Sequence, residues 1–256
     1  MRWSFEDDAI RYRNHGYEAI GVWRAKLSDF GESKGRDLLD ELGMTVSSLH
    51  WAGGFTGSDG RTFRDSLCDA LDAIEVASEL KASCLTILAG SRAGHTKSNA
   101  RRLLTSALKE LAESARAVGV QLALEPMHHG CAHDFTFLTN IPETISVIEE
   151  IGCSNLGFVF DCYHLAHDPK VFEWLPKITP HIRLVQCGDG KGIPSGLQNR
   201  CLIGQGRVPI ASIIQSLEQH GYQGYYEVEL IGEDVEDYDY DHVLEKSHAT
   251  LLGLAH

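Results

Sequence analysis

A chain of 256 residues with 43% hydrophobic and 23% charged residues can bury one sizeable core, which excludes the disordered and fibrous classes. Its formal net charge of −13 argues against a nucleic-acid partner, because neutralising phosphates takes a basic surface. No run of about 18 apolar residues offers a membrane span, and the charged stretch from Met1 to Arg13 lacks the apolar segment of a signal peptide. Seven cysteines without a Cys-x-x-Cys pair read as reduced thiols of a cytoplasmic protein.

The predicted elements alternate between helix and strand. Ser4 is placed to cap a helix over 5–15 that Gly16 ends. A strand over 19–23 follows, then a helix over 34–42, ended by Gly43, and a strand over 45–50. The helix predicted over 62–80 carries Leu67, Leu71, Ile74 and Ala77 at three- and four-residue spacing, an apolar stripe suited to a sheet face. After a strand over 84–88, the helix over 99–118 repeats that stripe through Leu104, Leu108, Leu111 and Ala115. Strands over 121–125, 156–161, 182–187 and 225–229 and helices over 142–151, 209–220 and 241–254 complete the series.

Successive strand starts lie 26, 39, 37, 35, 26 and 43 residues apart, each enough for one βα unit of a parallel sheet. No Pro-, Ser- or Gly-rich linker interrupts them, so one domain over 1–256 is expected. Seven strands are visible, and an eighth would have to come first, where Met1 to Ser4 leaves room only for a stub. The expected fold is an α/β (β/α)₈ TIM barrel with a short or incomplete first strand. An open doubly wound sheet is the alternative. The barrel is favoured because strands ending in acid or His residues run from the second to the last, and a barrel gathers such ends around one opening.

Three predicted strands end in an acid: Glu125 after VQLAL, Asp161 after FVF and Glu229 after YYEV. A fourth, RLVQ, ends in Gln186. These residues are 36, 25 and 43 positions apart, yet in a parallel barrel their strand ends all face the same opening. Their oxygens form a set that suits Mg²⁺ or Mn²⁺ better than zinc. Acids crowded at one opening also repel each other, and a cation removes the conflict. His164, three residues beyond Asp161 on the following loop, is placed to meet a substrate oxygen. His50 ends the second visible strand on the same rim, and His128 follows Pro126.

At these residues the chain resembles the xylose-isomerase-like barrel superfamily, and within it the sugar phosphate isomerase/epimerase group of hydroxypyruvate isomerases, ketohexose 3-epimerases and inosose dehydratases. The matching stretches are Leu124-Glu125-Pro126-Met127-His128, Phe160-Asp161-Cys162-Tyr163-His164, the strand from Leu184 to Asp189, Asn199-Arg200 with Gly204-Gln205-Gly206, and Gly221-Tyr222-Gln223-Gly224 leading to Glu227-Val228-Glu229. The resemblance implies one divalent metal, often Mn²⁺, held by Glu125, Asp161, Gln186 and Glu229, with His164 and Arg200 on the substrate. Most members carry His where this chain has Gln186, although the hydroxypyruvate isomerase branch uses Gln. Gly204-Gln205-Gly206 departs from the usual Gly-acid-Gly, and Trp23 stands where many members place an acid. Apurinic endonucleases of the same superfamily hold three zinc ions through several His. Gln186, Ala89-Gly90 and the lack of an Asp-x-His after Asp189 argue against that cluster here.

The resemblance thus implies a metal-dependent isomerase or epimerase of a small sugar or hydroxy-carbonyl compound, working through an enediolate. Glu125 and Glu229 would be its acid/base pair, and His164 and Arg200 would contact the substrate; His50 and His128 are further substrate-binding candidates from their places on the rim. A dehydratase of a keto-inositol-like substrate is the alternative within enzymes, and a non-catalytic sugar- or metal-binding barrel the alternative outside them. A homo-oligomer stays open.

Overall fold

The computed structural model describes residues 3–196 and 198–254. Seven parallel strands pair strictly in chain order: β1 (Ala19–Trp23), β2 (Thr45–Gly53), β3 (Leu85–Leu88), β4 (Leu122–Leu124), β5 (Leu156–Asp161), β6 (Ile182–Cys187) and β7 (Tyr226–Val228). Helices follow the strands, and the sheet curls into a nearly closed TIM barrel. The helices are α1 (Phe5–Asn14), α2 (Arg24–Phe30), α3 (Glu32–Leu42), α4 (Phe63–Glu79), α5 (Lys97–Ala117), α6 (Ile141–Ile151), α7 (Cys162–Leu165), α8 (Val171–Ile178), α9 (Ile210–Gln219), α10 (Glu233–Glu236) and α11 (Tyr240–Leu254). No helix among the described residues is long and apolar enough to cross a membrane.

Local chemistry explains why the helices start where they do. Ser4 and Thr62 each accept a hydrogen bond from the backbone three residues on, and Asp7 and Asp65 return the favour, two complete capping boxes. Gly43 and Gly152 end α3 and α6 in the left-handed conformation that only glycine adopts cheaply.

Strand alternation divides the side chains between two cores. Leu122, Leu124, Phe158, Phe160 and Val185 point outward into the large cluster between sheet and helices. Cys84, Ala123, Val159 and Leu184 point inward and fill the barrel floor. Counting in steps of two from those inward residues along β4, β5 and β6 reaches Glu125, Asp161 and Gln186.

The ring closes between β7 and β1 through side chains and helices. Glu227 of β7 reaches past β1 to the Ser48 hydroxyl (2.8 Å) and the His50 Nε2 (2.9 Å) on β2. A Cβ on Gly21 of β1 would run into that carboxylate, so glycine is required there for space. Outside the barrel, α11 packs on the α1–β1 segment through the Arg11–Asp241 ion pair, the Tyr17 hydroxyl on the Leu244 carbonyl (3.1 Å) and the Trp3–Tyr240 rings (5.2 Å). No strand lies among residues 3–18. Met1 and Arg2, part of the span where a strand stub was expected, lie outside the described residues. Four α-helices beyond those predicted are present among the described residues: α2 directly after β1, α7 and α8 between β5 and β6, and α10 after β7.

Candidate active site

The barrel's C-terminal opening collects the strand-end residues as expected from their parity. The Glu125 amide bonds the Ile87 carbonyl (2.9 Å) and the Glu229 amide bonds the Cys187 carbonyl (3.2 Å), so ladder bonds fix both acids just beyond their strands. Asp161 pairs in register with Gln186 across β5 and β6. Glu125, Gln186 and Glu229 line one cavity of about 430 Å³ together with His50. Asp161 is fully buried beside Arg200 and is not among the lining residues.

Arg200 supplies the local counter-charge. Its Nη2 donates to Asp161 Oδ2 at 2.8 Å and lies 3.2 Å from Glu229 Oε1, while Nη1 donates to the Glu229 carbonyl at 3.0 Å. The guanidinium also stacks over Tyr163, 4.8 Å from the ring centre. Burial alone would lower its pKa, but Asp161, Glu229 and Glu125 hold it above the usual arginine range.

Burial and the neighbouring charges of Glu229 and Asp161 push the Glu125 carboxyl up to about 8, against the opposing pull of His50 and Arg200. Burial also raises Glu229, with Arg200 opposing and Asp161 adding to the rise. Crowded carboxylates of this kind favour a cation between them.

Two observations test whether the residues fit a metal ion. Ligand atoms of Glu125, Asp161 and His164 all lie within 4.8 Å of one another. The Gln186 Oε1 and both ring nitrogens of His164 are buried without a hydrogen-bond partner, a costly state for a polar atom unless a further partner satisfies it. This donor set fits a small divalent cation. His164 lies in α7 and not on a loop, because Asp161 caps that short helix through the Tyr163 amide (2.7 Å) and turns the imidazole back toward the acids. The Nε2 of His164 is 3.6 Å from Asp161 Oδ2. Burial keeps it neutral, with a pKa lowered to about 4 despite Asp161, and a neutral imidazole can donate a lone pair. A nitrogen donor thus stands within reach of the oxygens read from strand ends.

The other histidines divide. His50 sits at the cavity wall, but its nitrogens are engaged: Nε2 with Glu227 and Ser48, Nδ1 with Thr86 at 3.3 Å. His128 is half-buried beside His129 and His167, with ring centres 4.2 and 5.8 Å away. Burial and those two neighbours lower its pKa. Glu227 was not singled out in the sequence, although its two-residue spacing from Glu229 places both on the inward face. Asp189, two residues past the end of β6, organises the next loop. Buried, it accepts hydrogen bonds from the amides of Gly190, Gly204, Gly206 and Val208 at 2.8–3.1 Å and so fixes the Gly204-Gln205-Gly206 loop.

The His50–Glu227 pair makes a pH prediction. Burial disfavours the imidazolium, but Glu227, Glu229 and Glu125 raise its pKa from 6.5 to about 9. A raised folded-state value stabilises the protein fully below pH 6.5, and the gain is lost as pH rises through about 9. That gain is about 3 kcal/mol. Urea unfolding of the native protein and His50→Gln should differ most at pH 6 and converge by pH 10. A gap that stays constant over this range would remove the charged pair.

The xylose isomerase-like TIM barrel family model matches residues 11–250, and the chain belongs to that family. It is 25% identical over 231 residues to fructoselysine 3-epimerase of Shigella flexneri, covering 84% of this chain and 81% of that protein. Inosose isomerase of Halalkalibacterium halodurans is 28% identical over 138 residues, a match spanning 52% of this chain and only 48% of the relative. Among solved structures, a protein of Sinorhizobium meliloti 1021 superposes with a TM-score of 0.90 at 24% identity over 99% of this chain and 94% of that one. The IOLI protein, solved with a binding zinc atom, gives 0.84 at 17% identity over 98% and 93%. These two likenesses establish the fold.

Proposed function

We propose that the chain is a divalent-metal-dependent isomerase or epimerase of a small sugar or hydroxy-carbonyl compound. The observation that carries this reading is the meeting of Glu125 and Glu229, from opposite parts of the ring, over a floor of buried donors. Glu125, Asp161, Gln186 and Glu229 would hold Mn²⁺ or Mg²⁺, with His164 in reach of the same ion. Bound there, the ion supplies Lewis acidity to a carbonyl and its neighbouring hydroxyl.

The chain's own residues supply the rest. One of the paired carboxylates removes the proton next to the carbonyl, and the enediolate that forms is protonated by the other carboxylate or by the same one. Return on the opposite face inverts the carbon. Return to the neighbouring carbon, with the hydroxyl proton passed to the former carbonyl oxygen, moves the carbonyl. Arg200 holds Asp161 and Glu229 in position through the bonds described above. The Shigella relative is a 3-epimerase and the Halalkalibacterium relative an isomerase, which supports this class of proton transfer.

Deuterium exchange tests the reaction without knowledge of the product. Protein with Mn²⁺ is incubated in D₂O with ketoses, hydroxypyruvate and a keto-inositol, and nuclear magnetic resonance follows the substrate protons. Deuterium should enter at least one of them. A new unsaturated or deoxy-keto product would replace isomerisation by water loss. Bound ligand with no exchange in any compound would leave a receptor in place of an enzyme.

A further inference from the structure

The charge and shape of the cavity say more about its ligand than the strand-end acids do. Among the described residues that line it, Lys26 and His50 are the cationic side chains, and each is already paired, Lys26 with Asp8 and His50 with Glu227. Arg200 behind the floor is spent on Asp161 and Glu229. The remaining lining charges are carboxylates. A phosphate group carries about −1.5 to −2 charges and favours charge-assisted donors. Among the lining side chains it would find a cation only by breaking an existing ion pair.

The rim is the opposite of the floor. Glu125 and Gln186 are 5% and 1% exposed, whereas Trp23, Trp51 and Phe135 are 39%, 38% and 36% exposed and line the same cavity. Trp23 ends β1 and pairs in register with His50, the neighbour of Trp51 in β2, and Arg24 donates to the Trp51 carbonyl at 3.2 Å, so the two indoles stand on tied strands. Phe135 comes from the connection after β4. Large aromatic side chains are normally covered, and three uncovered ones lining a single cavity mark a binding surface. A ligand confined to the floor leaves these rings bare. A longer ligand covers them, and a ring is the group that their flat faces suit.

We propose that the site takes an uncharged sugar carrying a second, appended ring, which lies against Trp23, Trp51 and Phe135 while the reacting end sits at Glu125 and Glu229. The placement of the reacting end rests on the function proposed above; the appended ring and the absence of charge rest on the rim and the paired cations.

Four compounds that differ at one oxygen of one ketose separate the possibilities: D-fructose, D-fructose 6-phosphate, isomaltulose with a glucose ring on that oxygen, and 6-O-benzyl-D-fructose with an aryl ring. Affinities are measured by calorimetry at saturating Mn²⁺. Isomaltulose or the benzyl ether should bind about tenfold more tightly than fructose, and the stronger of the two tells a sugar ring from an aryl one. The phosphate should bind more weakly than fructose. Trp51→Ala and Trp23→Ala should each cut the ring preference about threefold to tenfold, the scale of one aromatic contact, and Trp51→Phe should retain most of it. The inference is overturned if the phosphate binds as tightly as the ring compounds, if fructose matches them, if the preference survives in both alanine variants, or if none of the four binds. Proton exchange into fructose with no ring preference would overturn this inference alone, whereas ring-selective binding without exchange of any ketose would overturn the proposed reaction alone.

Discussion

Glu125→Gln and Glu229→Gln should each slow deuterium exchange into a responsive substrate by about two orders of magnitude or more, the usual contribution of a positioned acid or base. The amide keeps the size of the side chain and loses the proton-accepting charge. Both residues are also candidate metal ligands, so metal occupancy must be measured on each variant and rates compared at saturating Mn²⁺. The two effects then separate: a ligand lost only as a ligand is rescued by more metal, and a lost proton acceptor is not. Exchange that persists in both variants at full occupancy would remove the two-carboxylate chemistry and move attention to His164, whose unpartnered nitrogens lie beside Asp161.

Glu125 and Glu229 illustrate what a sequence discloses and what it withholds. A strand buried on both faces reads as an apolar run, so the acid that ends it stands out, and the two-residue period then says which side it faces. That is why β5 and β6 match their predicted bounds and why the four strand-end oxygens were legible. Helices α2 and α8 were not. Trp23 and Lys170, which precede them, make no side-chain capping bond, and α8 contains Pro176, which read alone signals a break. Helix α7 was hidden for a different reason: its cap is Asp161 itself, an acid already assigned to metal. Partner choice was the least legible feature. Nothing in the spacing of Ser48, His50 and Glu227 says that a carboxylate on β7 crosses Gly21 to reach β2, because that contact depends on how the ring closes.

The buried arginine offers a test of the metal site that does not depend on activity. In the protein without metal, Arg200 is the cation in direct contact with Asp161 and Glu229. Arg200→Gln removes it and leaves two carboxylates uncompensated, a change that costs about 3–5 kcal/mol for a broken buried pair. For a chain of this size that is a fall in Tm of roughly 6 to 20 °C. A divalent ion held by the same acids replaces the lost charge. Mn²⁺ at about a thousand times its Kd stabilises by about 4 kcal/mol through mass action, so it should return most of the lost Tm. The variant should also bind Mn²⁺ more tightly than the native protein, because the guanidinium no longer competes for Asp161 Oδ2. Mg²⁺ should act in the same direction, and a chelator should reverse both. Thermal melts of the two proteins with and without each ion read this directly. If Mn²⁺ leaves the variant's Tm where it was, the acids at the barrel opening do not hold a cation, and Arg200 alone neutralises them.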